Sequence, residues 1–237
     1  TGQMNKYHKW EETSPYLRAI LEGTGRFSVD IHTMPPFGSD LSKWDARFED
    51  YAVVLMNVDG DSWPEATRRR FEGLVRSGRV GLSVVHSADN AWKEWGDWNE
   101  MIAVGGWGGR DASAGPYLRW RDGQVVRDEK PGPCGGHGAR QPFVVIHRTP
   151  DHPVLKGLPV TWLHHEDELY NCLRGPAKKV EVLGTAWSDP ANKGTGEHEP
   201  MLMAVRFGEG RVFHTTLGHD VEAMRCAGFQ CTLQRGT

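Results

Sequence analysis

The 237-residue sequence has no C-x-x-C pair, no apolar run near the roughly 18 residues of a membrane span, and no excess of positive charge. Its four cysteines, Cys134, Cys172, Cys226 and Cys231, are scattered, which excludes a zinc knuckle and a thioredoxin-type motif. Their spread suits reduced thiols and hence a cytoplasmic location. A net charge of −3 removes the electrostatic case for nucleic acid or for an anionic membrane surface. No G-x-S-x-G elbow is present, so an α/β-hydrolase serine is excluded. The glycines of GGWGGRD lack the strand–turn–helix setting of a phosphate loop. Cys134 lies in the turn-forming PGPCGG, and Cys226 and Cys231 lie in a closing helical pattern, where a reactive thiol needs a special environment. The opening TGQMNKYHKW has no initiator Met and the chain closes on QRGT, so both ends read as trimmed, with any signal peptide outside the sequence.

What the sequence does hold is 11 His, 10 Trp and 29 Gly. Tryptophan faces stack on sugar C–H groups, but large core residues account for them equally well. Ser14-Pro15 reads as a helix start, followed by Leu17, Ile20 and Leu21 on one face. RFSVDI reads as a strand, residues 41–50 as a short helix, and AVVLMNV (52–58) and RVGLSVV (79–85) as strands buried on both faces. Pro64 opens a helix with Phe71, Leu74 and Val75 buried. Residues 105–140 show no sustained period and read as a long excursion. Strands resume at PFVVIHR, KKVEVLGTAW, PMLMAVRF and RVFHTTLG, the last two joined by the hairpin-like Gly208-Glu209-Gly210, and a closing helix covers about 221–233. Strands alternating with helices predict a single α/β domain over 1–237 with a doubly wound, mostly parallel sheet, AVVLMNV and VGLSVV among its interior strands.

In such sheets ligands sit beyond the carboxyl ends of the strands. Four places there carry chemistry: His8 and Trp10 in the opening loop; His86, Ser87 and Asp89 after VGLSVV; His164, His165, Glu166, Asp167 and Glu168 in HHEDELY; and His219-Asp220 after RVFHTTLG. His86 can ligate a metal or move a proton, or be a structural ring bonded to a nearby carbonyl. HHEDELY is a solvated acidic face unless Leu169 and Tyr170 hold one side inward. His147 and His152 flank prolines and read as turn residues, and His32, His137, His198 and His214 have weaker cases.

The stretches TGQMNKYHKWEETSPYLRAILEGTGRFSVDI, VGLSVVHSADNAW, MIAVGGW, HPVLKGLP, DELY and FGEGRVFHTTLGHD together resemble the ThuA-like (trehalose utilisation) family over most of the chain. The resemblance implies a flavodoxin-like sheet similar to class I glutamine amidotransferases, with a first strand just before Thr1. His86 stands where those enzymes carry their cysteine, which argues against glutaminase chemistry. It also implies carbohydrate catabolism: action on a disaccharide or 3-keto-glycoside by metal- or acid/base-assisted elimination, hydrolysis or isomerisation, in a pathway with a sugar 3-dehydrogenase. The alternative is a non-catalytic sugar-binding or partner subunit. The matching positions are His8, His86, Asp89, Gly105, Gly106, Asp167, Glu168 and His219. The expected catalytic set is His86, Glu168, His219 and Asp167. His8, Trp10, Asp89, Trp92, Gly105, Gly106 and His165 are expected around a small sugar, and His86, His219 and Glu168 around a divalent ion, Zn or Mn. Nucleic acid and membrane are not expected partners, whereas a homo-oligomer is compatible with the sequence.

Overall fold

In a computed structural model, residues 1–3 and 6–237 are described. The chain enters through β1 (Gly2–Gln3) and α1 (Trp10–Glu22). α1 begins a turn before Ser14-Pro15, with Glu11 and Glu12 at its positively polarised end. Pro15 falls inside the helix, where it withdraws one N–H, and Thr13 and Ser14 instead accept from the buried Asn57 amide. Residues 26–31 carry no ladder and are not the expected strand. Residues 27–31 form one wall of a cleft of about 150 Å³ that also includes Leu17, Leu21 and residues 53–58. The expected helix at 41–50 is only a 3-10 turn at Phe48–Asp50.

Next come β2 (Val53–Met56), β3 (Val58–Asp59), which runs parallel to β1, and α2 (Glu65–Arg76) with Phe71 and Val75 buried. β4 (Gly81–Val85) leads through a 3-10 turn at His86–Asn90 to α3 (Gly96–Ile102). The Gly-rich excursion is not structureless: β5 (Tyr117–Arg121) and β6 (Gln124–Asp128) form a hairpin on Asp122-Gly123, both with positive φ as a type I′ turn requires. β7 (Gln141–His147), β8 (Thr161–Asp167), β9 (Val180–Ser188), β10 (Glu197–Phe207) and β11 (Gly210–Thr215) follow, then α4 (Val221–Met224) and α5 (Ala227–Gly236).

The main sheet has nine strands in the order β2-β4-β11-β10-β9-β7-β8, with β5 on β10 and β6 on β5. Only β2/β4 and β4/β11 are parallel; the other contacts are antiparallel. The sheet is therefore mixed rather than mostly parallel. Tight turns such as the one between β10 and β11 leave no room for the crossover a parallel pair needs. VGLSVV is an interior strand, as expected. AVVLMNV is not: β2 is the edge of this sheet, its Val53, Val54 and Leu55 half-buried against the apolar cleft. An apolar run reads alike in either setting.

Alternating residues of β4 and β11 face opposite layers. Leu82, Val84 and Val212 pack with α2 and α3, whereas Val85 and Phe213 pack with α1, α4 and α5. The first layer contains Trp44, Trp63, Trp92, Trp95 and Trp98 in mutual ring contact with Phe48 and Phe71. Half of the tryptophans thus serve packing, since aromatic pairs add to area burial.

Candidate functional site

Four side chains that are far apart in sequence meet at the carboxyl ends of β4, β8 and β11. His8 comes from the loop before α1, His86 from the residue after β4, Glu168 from just past β8, and His219 from the loop between β11 and α4. Each offers a ligand atom within 4.8 Å of the others. His219 Nδ1 lies 3.1 Å from Glu168 Oε2 and 3.3 Å from His86 Nε2, and His86 Nε2 lies 3.8 Å from Glu168 Oε2.

His86 sits at φ 44°, a left-handed conformation that a non-glycine residue holds only when its surroundings impose it. Its Nδ1 donates to the Thr216 carbonyl at 2.7 Å, which fixes the ring and turns Nε2 to the cluster. The bond to a nearby carbonyl is therefore made by Nδ1, and Nε2 is left facing the cluster. Asp167 lies behind the cluster, fully buried, and ties its loops together. It accepts from Gly218 N–H at 2.7 Å, Glu168 N–H at 2.8 Å, His219 N–H at 3.2 Å and His164 Nε2 at 2.8 Å. Its geometry is that of a positioning group. The Tyr170 hydroxyl is 3.1 Å from His8 Nε2, and its ring is 4.0 Å from that of His86.

Charge in the cluster follows from these contacts. Burial, then the neighbouring His86 and His219, pushes His8 down to about 3. Burial alone would raise the Glu168 carboxyl, but the neighbouring His219 and His86 hold it well below the usual carboxylate range. Burial also opposes protonation of His86, yet Glu168 and Asp167 lift it above its ordinary value. Burial likewise works against Asp167, which His164 and His86 nevertheless keep below the usual range.

Other expected positions lie elsewhere. Trp92 is 4% exposed inside the tryptophan layer, its indole N–H donating to Asp61 O at 2.8 Å, so it does not face a sugar. His165 is exposed on the outer side of β8, 3.3 Å from Glu222 O. Gly105 and Gly106 are packing positions: a Cβ would meet Asp89 O at 2.3 Å and Leu173 Cδ2 at 2.8 Å, respectively. Asp89 is buried, its oxygens without hydrogen bonds, 3.5 Å from His214 Nε2. Trp10 begins α1, half-buried. Three neighbours of the cluster were missed in the sequence. Tyr170 stacks on His86; the Trp107 ring is 4.5 Å from Tyr170; and the partly exposed His137 has Nε2 3.8 Å from Glu168 Oε1. The signal for Trp107 and His137 was only the Gly-rich composition of the excursion that carries them.

Three imidazoles and one carboxylate within this span match the donor preference of Zn and other borderline divalent ions. The same group can also hold and exchange protons.

Comparison with known proteins bears on the family and the fold. No protein of curated function matches the chain. A ThuA-like protein from Parabacteroides merdae is 43% identical, with a TM-score of 0.95 over 99% of this chain and 86% of that one. A ThuA-like protein from Bacteroides uniformis shares the fold at 18% identity, with a TM-score of 0.67 over 99% of this chain and 87% of that one. A cytoplasmic protein from Salmonella typhimurium, 13% identical, aligns with a TM-score of 0.53 over 94% of this chain and 84% of that one. Among the described residues no helix is long and apolar enough to cross a membrane. The family model for trehalose utilisation matches residues 1–237, and the chain belongs to the ThuA family.

Proposed function

We propose that the His8–His86–Glu168–His219 cluster holds a divalent ion, Zn or Mn, and that the protein is an enzyme acting on a 3-keto-glycoside or related disaccharide. The observation that carries this reading is the convergence of four metal-type ligand atoms within 4.8 Å from four separate segments. A solvated acidic face does not bring three histidines to one carboxylate. When bound, the ion supplies Lewis acidity towards a sugar oxygen.

The chain's own groups account for the rest. Thr216 O orients His86, the Tyr170 hydroxyl meets His8, and Asp167 sets the backbone of Glu168 and His219, so the ligand atoms are held before anything binds. Trp107, half-exposed beside Tyr170, offers a flat apolar wall to a pyranose ring. A keto group at C3 acidifies the proton at C2, so a modest base removes it and the glycosidic oxygen leaves. His137, outside the tetrad and partly exposed, is placed to take that proton. A sugar 3-dehydrogenase would supply such a substrate.

Metal analysis of the purified and Zn- or Mn-reconstituted protein, followed by assay on 3-keto-trehalose, tests the reading. Stoichiometric metal that is lost in Glu168→Gln, together with turnover of the keto sugar but not of trehalose, is expected. Absence of bound metal after reconstitution would sink the metal centre, and bound metal with sugar binding but no turnover would leave a sugar-binding subunit.

A further inference from the structure

His214 is fully buried near the end of β11. Its Nδ1 lies 2.8 Å from the carbonyl oxygen of Ile102, the last residue of α3. A carbonyl only accepts, so Nδ1 carries a hydrogen. The same oxygen accepts from Val104 N–H at 2.9 Å, which closes a γ-turn on Ala103 at φ 66° and ψ −49°. That form of γ-turn is rare and strained. The other ring nitrogen, Nε2, faces Oδ2 of the equally buried Asp89 at 3.5 Å. Asp89 belongs to the 3-10 turn that opens on His86, itself held at φ 44°. One imidazole thus stands between two strained turns, and one of them carries a member of the tetrad.

We propose that His214 carries a hydrogen on both ring nitrogens and is a positioning residue for His86, binding the turn through Asp89 to the end of α3. Neither a bound ion nor a sugar is needed for this role. Among the described residues, no other cation lies within ion-pair distance of Asp89. Neither oxygen of Asp89 has a hydrogen bond, and a buried carboxylate with no donor is costly. The other charged and titratable groups around it are engaged elsewhere. Arg110 gives its N–H groups to Asn90 O, Gly106 O, Ala91 O and Asn99 Oδ1. The Cys134 thiol donates to Gly105 O, and the Tyr170 hydroxyl meets His8. Asp59 is a second carboxyl, which burial and Asp89 itself push up to about 6, so it adds no positive charge. A bare His214 Nε2 would turn a lone pair on the Asp89 carboxylate and push the two segments apart. A hydrogen there makes the contact attractive, and the carbonyl end of α3 favours the resulting cation on the other side of the ring.

The test is nitrogen–proton NMR of the imidazoles in the whole, nitrogen-labelled, metal-free protein at neutral pH. Wild-type His214 should show two ring N–H signals. In Asp89→Asn the side-chain amide can donate to Nε2, which keeps the link without the charge. There the His214 Nε2–H signal should be lost while the His86 signals stay near their wild-type positions. Asp89→Ala removes the link, and it should shift the His86 ring signals and weaken the Nδ1–H bond to Thr216 O. A single ring N–H on His214 in the wild-type protein overturns the proposal, as do unchanged His86 signals in a folded Asp89→Ala protein. Should that variant fail to fold, Asp89→Asn decides: an Nε2–H signal that persists there shows that Asp89 does not hold it, and overturns the proposal.

Discussion

At the scale of single residues, Glu168 separates a metal ligand from a surface acid most cleanly. Glu168→Gln keeps the shape and removes the charge that His219 and His86 contact. Metal affinity should fall by about 100-fold or more, beyond the 10- to 100-fold typical of losing an outer support, and titration calorimetry with Zn measures it. Unchanged affinity would return Glu168 to a solvated acidic face. Asp59 gives a prediction about stability. Burial, then the nearby Asp89, raises its carboxyl to about 6 from an unfolded value near 3.8. Between those two values the folded chain binds a proton that the unfolded chain has lost, so stability falls as pH rises through about 4 to 6. Asp59→Asn should remove that fall and raise stability at pH 8 by about 1–3 kcal/mol, one pKa unit being 1.36 kcal/mol. Denaturant midpoints at pH 4 and pH 8 read it, and equal changes at both would show that ionisation is not the cause. His86 and His219 were legible in the sequence because each follows a buried apolar strand, His86 directly and His219 after a short loop. Trp92 was misplaced because a tryptophan after such a strand reads the same whether it faces a ligand or a layer of other tryptophans.

At the scale of elements, the short apolar runs located most strands, but not their directions or neighbours. β9 and β10 are as apolar as a parallel strand because their faces are also covered, so composition does not separate the two cases. The β5–β6 hairpin did carry a local signal, Asp122-Gly123 between RWR and QVV, which the Gly-rich surroundings obscured. Residues 26–31 are β-prone yet carry no ladder, since strand formation needs a neighbour that local propensity does not report. The loop after β11 depends on one glycine. Gly218 has φ 100°, and a Cβ there would meet Phe229 Cε2 at 2.9 Å, while its N–H donates to Asp167. Gly218→Ala should destabilise the fold by about 1–3 kcal/mol and weaken metal binding by displacing His219. Thermal melting with and without Zn distinguishes a folded protein that has lost its site from one that merely melts earlier. Wild-type melting and affinity would show that the loop tolerates the side chain and does not set the ligand.

At the scale of the whole molecule, a metal held as proposed would couple folding and protons to its binding, because the four candidate ligands come from segments that only the folded chain brings together. The ion should therefore stabilise the native state alone, by about 2.7 kcal/mol at 100 times Kd. For a chain of this length each kcal/mol raises Tm by about 2–4 °C, so a shift of about 5–10 °C is expected. Its dependence on pH follows from the charges in the cluster. In the ion-free protein Glu168 and Asp167 hold a proton on His86 above the ordinary pH for an imidazole, and that proton must leave before Nε2 can ligate. Protonation of His86 thus competes with the metal, and lowering the pH through its raised pKa weakens binding. His8 adds no such competition, since it is neutral down to about 3. At a fixed Zn concentration, the Tm shift should be larger at pH 8 than at pH 6, and calorimetry should detect proton release on binding at pH 6. A shift that is equal at both pH values, or that survives Glu168→Gln and His219→Ala together, would place the metal elsewhere on the molecule and leave the tetrad as an acid–base site alone.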